Sequence, residues 1–339
     1  MYKKIILSSV LFFIVVGQCF ADNDYLNRAE VKKFIDDFSE KSDYSKESLR
    51  KLFESVTTQT SVLEAIARPA EKKKNWTEYR KIFITDKRIK QGLTFWSENA
   101  QILAAAEREY GVPPEIIVAI VGVETFYGRY KGKYPVLDSL VTLGFDYPPR
   151  QKFFRSELGE FLLLAKEENL DPVAIKGSYA GAMGKSQFIS SSYRNYAVDF
   201  DGNGARDLWG SNEDVIGSVA NYFKRHGWKA GEIVTVPAKV QGKRYKELLD
   251  KGIKPVASVS ELPQYDVAAE YNSTTGQAAD ANQSVALLEF IKNDSDEYWL
   301  GFNNFYVITR YNHSHMYAMA VYQLSQLIKK DIEDYVVQH

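Results

Sequence analysis

The stretch Gly111-Val-Pro-Pro-Glu-Ile-Ile-Val-Ala-Ile-Val-Gly-Val-Glu-Thr-Phe-Tyr-Gly-Arg-Tyr130 decides how the rest of the chain is arranged. Pro113 and Pro114 suit the first turn of a helix, where a missing amide donor costs little, and Gly128 is a natural stop. Between them Ile116, Ile117, Val118, Ala119, Ile120, Val121, Val123 and Phe126 leave almost no polar face, so the spacing predicts a helix buried on most sides. Glu124 interrupts it. A carboxyl group in apolar surroundings resists ionisation and can hold its proton near neutral pH, which is what a general acid needs. The structural alternative is a carboxylate in a narrow solvent stripe, or one paired with Arg129 or Lys131. On this stretch alone that alternative is favoured, because structural ion pairs perturb carboxylates too.

The chain has 339 residues, enough for two or three domains around one sizeable core. Lys plus Arg number 43 against 44 Asp plus Glu, a net charge of -1, so the field that nucleic-acid binders use is missing and no nucleic-acid partner is expected. Lys3 and Lys4 precede an apolar run from Ile5 to Val16 and then Cys19-Phe20-Ala21. A charged start, short apolar core and small-residue end make a secretory signal over residues 1–21, and the run is short for a membrane span, although a retained anchor is the alternative. Cleavage after Ala21 would remove Cys19, the single cysteine. Lipidation of Cys19 would instead attach the chain to the outer membrane, but Gln18 stands where a small residue is usual. A soluble exported protein in the periplasm is the expectation.

From residue 22 to about 106 the pattern is helical, with Val31, Phe34, Ile35 and Phe38, then Leu49, Leu52, Phe53 and Val56, at helical spacing. Lys72 to Lys74 reads as a solvated turn. After the Glu124 helix, Asp146-Tyr147-Pro148-Pro149-Arg150 reads as a loop fixed by two prolines, leading into a helix with Phe154, Leu158, Phe161, Leu162 and Ala165 on one face. Lys176-Gly-Ser-Tyr-Ala-Gly-Ala-Met-Gly-Lys-Ser-Gln-Phe188 is dense in small residues, which lets backbone come close to a neighbouring helix or to a ligand. Residues 233–300 change texture. Ile233–Val236, Val256–Ser260 and Ser284–Leu288 predict short strands of a β insertion, with an exposed polar loop over 271–280, before helical character returns at Met316.

Asp199-Phe-Asp-Gly-Asn-Gly-Ala-Arg-Asp207 sets oxygen-bearing side chains at alternate positions with Gly204 sixth, the opening of a calcium loop. The standard pattern then needs Glu six residues after Gly204, where Gly210 stands, so Asp214 or Glu213 would have to close a longer loop. An Asx-rich turn capping the next helix is the alternative.

Taken together, Val123-Glu-Thr-Phe-Tyr-Gly128, Gly177-Ser-Tyr-Ala-Gly-Ala-Met-Gly184 with Gln187-Phe188, Asp199-Phe-Asp-Gly-Asn-Gly204 with Leu208-Trp209, Val219-Ala-Asn-Tyr-Phe223 with His226-Gly-Trp228, and Ile308-Thr-Arg-Tyr-Asn312 resemble the B-type lytic murein transglycosylases. The likeness covers essentially the whole mature chain. Each motif alone is weak, but all of them stand in the family's order, and this reverses the weighting on Glu124. The resemblance implies a mainly α protein: a lysozyme-like helical core over residues 106–232 and 301–320, including a calcium loop at 199–214. It also implies a helical domain over 22–105, with the terminal helix 316–339 packed nearby, and a small inserted β domain over 233–300.

The resemblance further implies peptidoglycan strands as substrate and cleavage between N-acetylmuramic acid and N-acetylglucosamine. Glu124 would protonate the bridging oxygen and then take a proton from the C6 hydroxyl of the muramic sugar, which closes on C1 as a 1,6-anhydro end. One acid can then suffice where ordinary glycosidases use two carboxylates, because the attacking group already belongs to the substrate. Asp146 is a candidate second carboxylate, with a structural role preferred. By the same match Ser178, Gln187, Tyr222, Tyr311, Asn312 and Tyr317 would line the sugar cleft, while Met183 reads as packing. Tyrosine suits a sugar's apolar face and its hydroxyls alike, and the chain has 22 Tyr against 5 Trp. Calcium would be held by Asp199, Asp201, Asn203, a backbone oxygen at Ala205, and Asp214, in a structural role; no organic cofactor is implied. The alternatives are a hydrolytic muramidase and a cell-wall-binding protein without activity, the second disfavoured because a binding module gains nothing from a buried acid.

Overall fold

A computed structural model of the chain describes residues 24–67, 74–271, 276 and 279–338. The expected leader with Cys19 lies outside the described residues, as do Lys72 and Lys73 of the expected turn and residues 272–275, 277 and 278 of the polar loop. Contacts divide the chain between Thr57 and Thr58. In the amino-terminal unit, α1 (Ala29–Lys41) and α2 (Lys46–Ser55) bury Val31, Ile35, Leu49 and Phe53. Phe34 and Phe53 set their ring centroids 6.0 Å apart. Ser45 starts α2, its Oγ accepting the Ser48 N–H at 3.0 Å.

The second unit begins with α3 (Thr60–Ala67), α4 (Trp76–Phe83), α5 (Asp86–Glu98) and α6 (Ala100–Tyr110), which ends on the left-handed Gly111. They lead to α7 (Pro114–Thr125), packed against α5, α6, α11 and α14, the last two defined below. Ile116 to Val121 are at most 1% exposed, as a helix without a polar face requires. It ends earlier than Gly128. Phe126, Tyr127 and Gly128 have φ of 54°, 59° and 85°, three left-handed residues in a row. The Phe126 and Tyr127 N–H groups turn back to the carbonyls of Gly122 and Val121 at 3.1 and 3.2 Å. A non-glycine residue in that region costs on the order of 1–3 kcal/mol, so the surrounding packing has to hold the turn.

The sequence reading did not anticipate α8 (Val136–Asp146), although Val136, Leu137, Leu140 and Val141 recur at helical spacing; its polar side, with Asp138, Ser139 and Thr142, is buried as well. Asp146 is thus the last residue of a helix, not part of the loop expected there. Against α8 packs α9 (Gln151–Glu167), burying Phe154, Leu158, Phe161, Leu162 and Ala165 on the expected face. Strand β1 (Tyr134–Pro135) pairs with β2 (Lys176–Gly177), and α10 (Ser190–Tyr196) and α11 (Asn212–Arg225) follow.

Strands β3 (Thr235–Val240), β4 (Ala257–Ser258), β5 (Val267–Ala269), β6 (Ser284–Phe290) and β7 (Glu297–Gly301), with the short α12 (Tyr245–Leu249), form an antiparallel sheet in the order β4-β6-β7-β3-β5. Leu300 stands opposite both Val236 and Leu287, and these side chains join Leu248, Leu262 and Phe302 in a separate apolar core. The three expected strands overlap β3, β4 and β6. Strands β5 and β7 escaped the reading, one being three residues long and the other, Glu-Tyr-Trp-Leu-Gly, having no clean alternation. Val259, expected in a strand, instead begins a 3-10 helix to Tyr265. Last come α13 (Asn303–Tyr311) and α14 (His315–Gln338), the latter packed on α4, α5, α7 and α13. The protein is mainly α with one small sheet, and no helix among the described residues is long and apolar enough to cross a membrane.

Candidate active site

Glu124 occupies the penultimate position of α7 and is partly buried. The Tyr317 hydroxyl, brought from the first turn of α14, donates to Glu124 Oε1. Burial pushes the Tyr317 and Tyr311 phenols well up, and the negative charge of Glu124 pushes both further, so each is a neutral donor beside the carboxylate. Of the two cations offered as structural partners, Arg129 lies over the Tyr130 ring at 5.6 Å and Lys131 Nζ donates to the Trp209 carbonyl at 3.4 Å.

The small-residue segment wraps against this point. Ser178 Oγ accepts the N–H groups of Ala180 and Ala182 at 3.3 and 3.0 Å, closing a tight turn. A Cβ on Gly177 would meet the Ala182 carbonyl oxygen at 2.3 Å, and one on Gly184 the Leu208 carbonyl oxygen at 2.6 Å. These glycines therefore serve close backbone approach within the protein, and Met183, 0% exposed, is packing. Two of the bonds that hold the segment come from residues next to or within the candidate site. Thr125 Oγ1, next to Glu124, donates to the Lys185 carbonyl at 2.8 Å, and the Tyr311 hydroxyl donates to the Ser186 carbonyl at 2.7 Å. Gln187 has a φ of 51° and its Nε2 donates to the Gly184 carbonyl at 2.9 Å.

Tyr222 of α11 sets its ring edge-on to Tyr311, centroids 4.8 Å apart, and stacks on His226 at 4.0 Å. Its hydroxyl donates to the Arg310 carbonyl at 2.6 Å and it is 7% exposed, so it acts mainly as a support for Tyr311. Asn312 caps α13 with extended backbone, its carbonyl accepting the Ser314 N–H at 2.7 Å. Glu124, Tyr317, Tyr311, Tyr222 and the Ser186–Gln187 corner thus form one linked set. The sequence reading missed its supports: Thr125, Ser186, and Arg88, whose Nε donates to the Gly122 carbonyl at 3.1 Å. Nothing in the periodicity of α5 marks Arg88, since its partner is a backbone atom.

In the loop at 199–214, carboxylate oxygens of Asp199, Asp201 and Asp214 all lie within 4.8 Å of one another. Asp199 accepts the Gly204 N–H at 2.7 Å and Asn203 accepts the Ala205 N–H at 2.9 Å. Backbone donors, Gly204 foremost, hold the Asp199 carboxyl below its usual range. Asp214 is buried, and burial raises its carboxyl although the N–H groups of Asp207 and Phe200 oppose the shift. The residue that caps α11 is Ser211, whose Oγ accepts the Asp214 N–H at 3.0 Å, so the aspartates are not needed for that purpose. Hard oxygens from three converging carboxylates fit a calcium ion.

Two cavities lie at the ends of α7, and no candidate site residue lines either. One of about 460 Å³ is lined by Phe126, Tyr127, Gly128, Arg129 and Lys185, beside the turn that follows Glu124. Another of about 690 Å³ lies at the opposite end of α7, by Glu115, Trp228 and Lys329, and touches none of the candidate residues.

Comparison with known proteins gives a consistent answer. The profile of the Transglycosylase SLT domain matches residues 27–326. Membrane-bound lytic murein transglycosylase B of Escherichia coli is 42% identical over 314 residues, covering 90% of this chain and 84% of that one. The crystal structure of the soluble lytic transglycosylase SltB1 from Pseudomonas aeruginosa is 49% identical, with a TM-score of 0.82 over 89% of this chain and 99% of that one. The structure of Escherichia coli lytic transglycosylase Slt35 in complex with calcium is 41% identical, with a TM-score of 0.80 over 91% of this chain and 95% of that one. The chain is therefore a mainly helical protein of lysozyme-like fold, and it belongs to the Transglycosylase SLT domain family of lytic murein transglycosylases.

Proposed function

We propose that the chain cuts peptidoglycan strands between N-acetylmuramic acid and N-acetylglucosamine without water, leaving a 1,6-anhydro muramic end, and that Glu124 serves first as acid and then as base. The observation that carries this is the carboxyl group at the end of a buried helix with the Tyr317 hydroxyl on its Oε1. Tyr317 holds the carboxyl group by its Oε1. Glu124 protonates the bridging oxygen as the C1–O bond breaks. The resulting carboxylate is stabilised by the phenol donor and then accepts the proton of the C6 hydroxyl as that oxygen bonds to C1. Ser178, Gln187, Tyr311, Asn312 and the partly supporting Tyr222 are assigned to the sugar-binding surface around this point.

Calcium would be held by Asp199, Asp201, Asn203, the Ala205 carbonyl and Asp214. When bound there, the ion would supply charge neutralisation for a buried carboxylate, and Asp214 would join the loop to α11 through it. Export to the periplasm, with outer-membrane attachment only if Cys19 is lipidated, is supported by the leader sequence and by the likeness to a lytic murein transglycosylase; the mass of the mature chain tests it.

Digestion of purified sacculi tests the reaction. The expected products are anhydro muropeptides, lighter by one water than their hydrolysed counterparts. Hydrolysed ends would favour the muramidase reading, and intact sacculi a wall-binding protein. Glu124→Gln should keep glycan binding and lower turnover by about 10²- to 10⁴-fold. Undiminished turnover in that variant removes Glu124 from the reaction.

A further inference from the structure

We propose that Arg88 is a positioning residue for Glu124: from α5 it locks the left-handed turn after the carboxylate and so fixes where the carboxylate sits. This rests on the assignment of Glu124 as acid and base. Phe126 and Tyr127 carry side chains that disfavour their positive φ, and relaxing them would unwind the last turn of α7, which includes Glu124. Arg88 opposes this at several atoms. Its Nε donates to the Gly122 carbonyl at 3.1 Å, the same carbonyl that accepts the Phe126 N–H. The guanidinium stands over the Phe126 ring at 4.8 Å, and the Tyr127 hydroxyl donates to the Arg88 carbonyl at 2.9 Å.

The clamp is itself held. Arg88 Nη1 donates to the Ile82 and Phe83 carbonyls at 2.6 and 2.9 Å, which ties the end of α4 to the end of α7 through one planar group. A lysine has no such fork and cannot serve both directions at once. One turn along α5, Gly92 leaves the room that Tyr127 occupies, because a Cβ there would come within 2.5 Å of the Tyr127 hydroxyl oxygen. The guanidinium is partly buried, and burial lowers its pKa, in keeping with a group committed to protein partners. A carboxylate that must reach the bridging oxygen and then the C6 hydroxyl tolerates little displacement, so the chemistry accounts for so much restraint behind one turn.

The test compares Arg88→Lys, Arg88→Met and Tyr127→Phe in the full chain, at a temperature where circular dichroism shows each fully folded. Turnover of sacculi gives kcat and KM, and glycan affinity is measured with each change placed in a Glu124→Gln background. The expected result is a kcat about 10- to 100-fold lower in the Arg88 variants, with a smaller loss in Tyr127→Phe, at unchanged KM and unchanged affinity. A kcat within twofold of the parent in the folded Arg88 variants overturns the proposal, as does a loss confined to KM and affinity. Should Arg88→Met not fold, Arg88→Lys decides, since it keeps the charge and loses the fork, and a kcat within twofold of the parent there has the same force. Failure of the Glu124 assignment is visible separately, as turnover retained by Glu124→Gln alone.

Discussion

Glu124 and Tyr317 stand 193 positions apart in the chain and meet in one hydrogen bond. A carboxylate near the end of an apolar run is conspicuous in any reading of the sequence, so Glu124 stood out among its neighbours, although only the family resemblance turned its reading from a structural carboxylate to an acid. Its partner did not. A tyrosine at the start of an amphipathic helix reads as core or surface, and only the packing of α14 on α7 brings its hydroxyl to the carboxylate. The family likeness supplied Tyr317 as a cleft residue, whereas the geometry gives it a more specific part as a neutral donor to an anion. Bonds of that kind contribute about 1.5–3 kcal/mol. Tyr317→Phe is accordingly expected to lower kcat on the order of tenfold to a hundredfold, the conversion being about 1.4 kcal/mol per factor of ten. Far-UV circular dichroism should be unchanged, because the ring remains to fill its place. An unaltered kcat in a folded Tyr317→Phe would show that the phenol does not act on the carboxylate during turnover.

Among the elements, α7 was readable from its unbroken apolar run and α9 from its single apolar face. The period of α9 could be seen in Phe154, Leu158 and Phe161, and α8 carries a similar one in Val136, Leu137, Leu140 and Val141 that passed unread. The end of α7 shows the opposite failure. Gly128 is a good stop by composition, yet the turn begins at Phe126, since tertiary contacts from Arg88 and Gly92 override a local preference. The candidate metal loop lies between these cases. Alternating oxygens at Asp199, Asp201 and Asn203 signal it in sequence, but the distance to its closing residue depends on how α11 is set, and Asp214 reaches back from the first turn of that helix. If the loop holds calcium as proposed, the ion binds the folded chain alone and stabilises it by mass action, about 2.7 kcal/mol at a free concentration one hundred times the dissociation constant. Thermal melts should therefore move up on adding calcium and down on adding a chelator. Asp214→Asn should abolish the response, and a melting point indifferent to calcium in the unaltered chain would rule the ion out.

At the scale of the molecule, the sheet is an insertion between two helices that both serve the site. α11 supplies Tyr222 and α13 supplies Tyr311, yet β3 to β7 intervene between them in the chain. For the two rings to meet, the chain must leave and re-enter the core at nearly one point. Asn304 does this. Fully buried at the start of α13, its Oδ1 accepts the Lys229 N–H at 2.9 Å, and its Nδ2 donates to the carbonyls of Lys229 at 2.8 Å and Glu232 at 3.1 Å. Beside it, the Phe302 N–H reaches the Val234 carbonyl at 3.1 Å, so the stems of the insertion are stitched together just before the sheet begins. Composition signals an insertion here, but which polar residue closes its neck is a matter of three backbone groups meeting one amide. Asn304→Ala leaves those groups unsatisfied, and at roughly 1 kcal/mol for each lost bond the expected destabilisation is about 3 kcal/mol. Urea unfolding should show the midpoint falling with the slope unchanged, since the same surface is exposed on unfolding. The activity per folded molecule should stay close to the parent's at low temperature, because Asn304 acts on the population of the closed core and touches neither Glu124 nor Tyr317. A midpoint within error of the parent's would mean the insertion is held by its sheet contacts alone, and the neck would lose its significance.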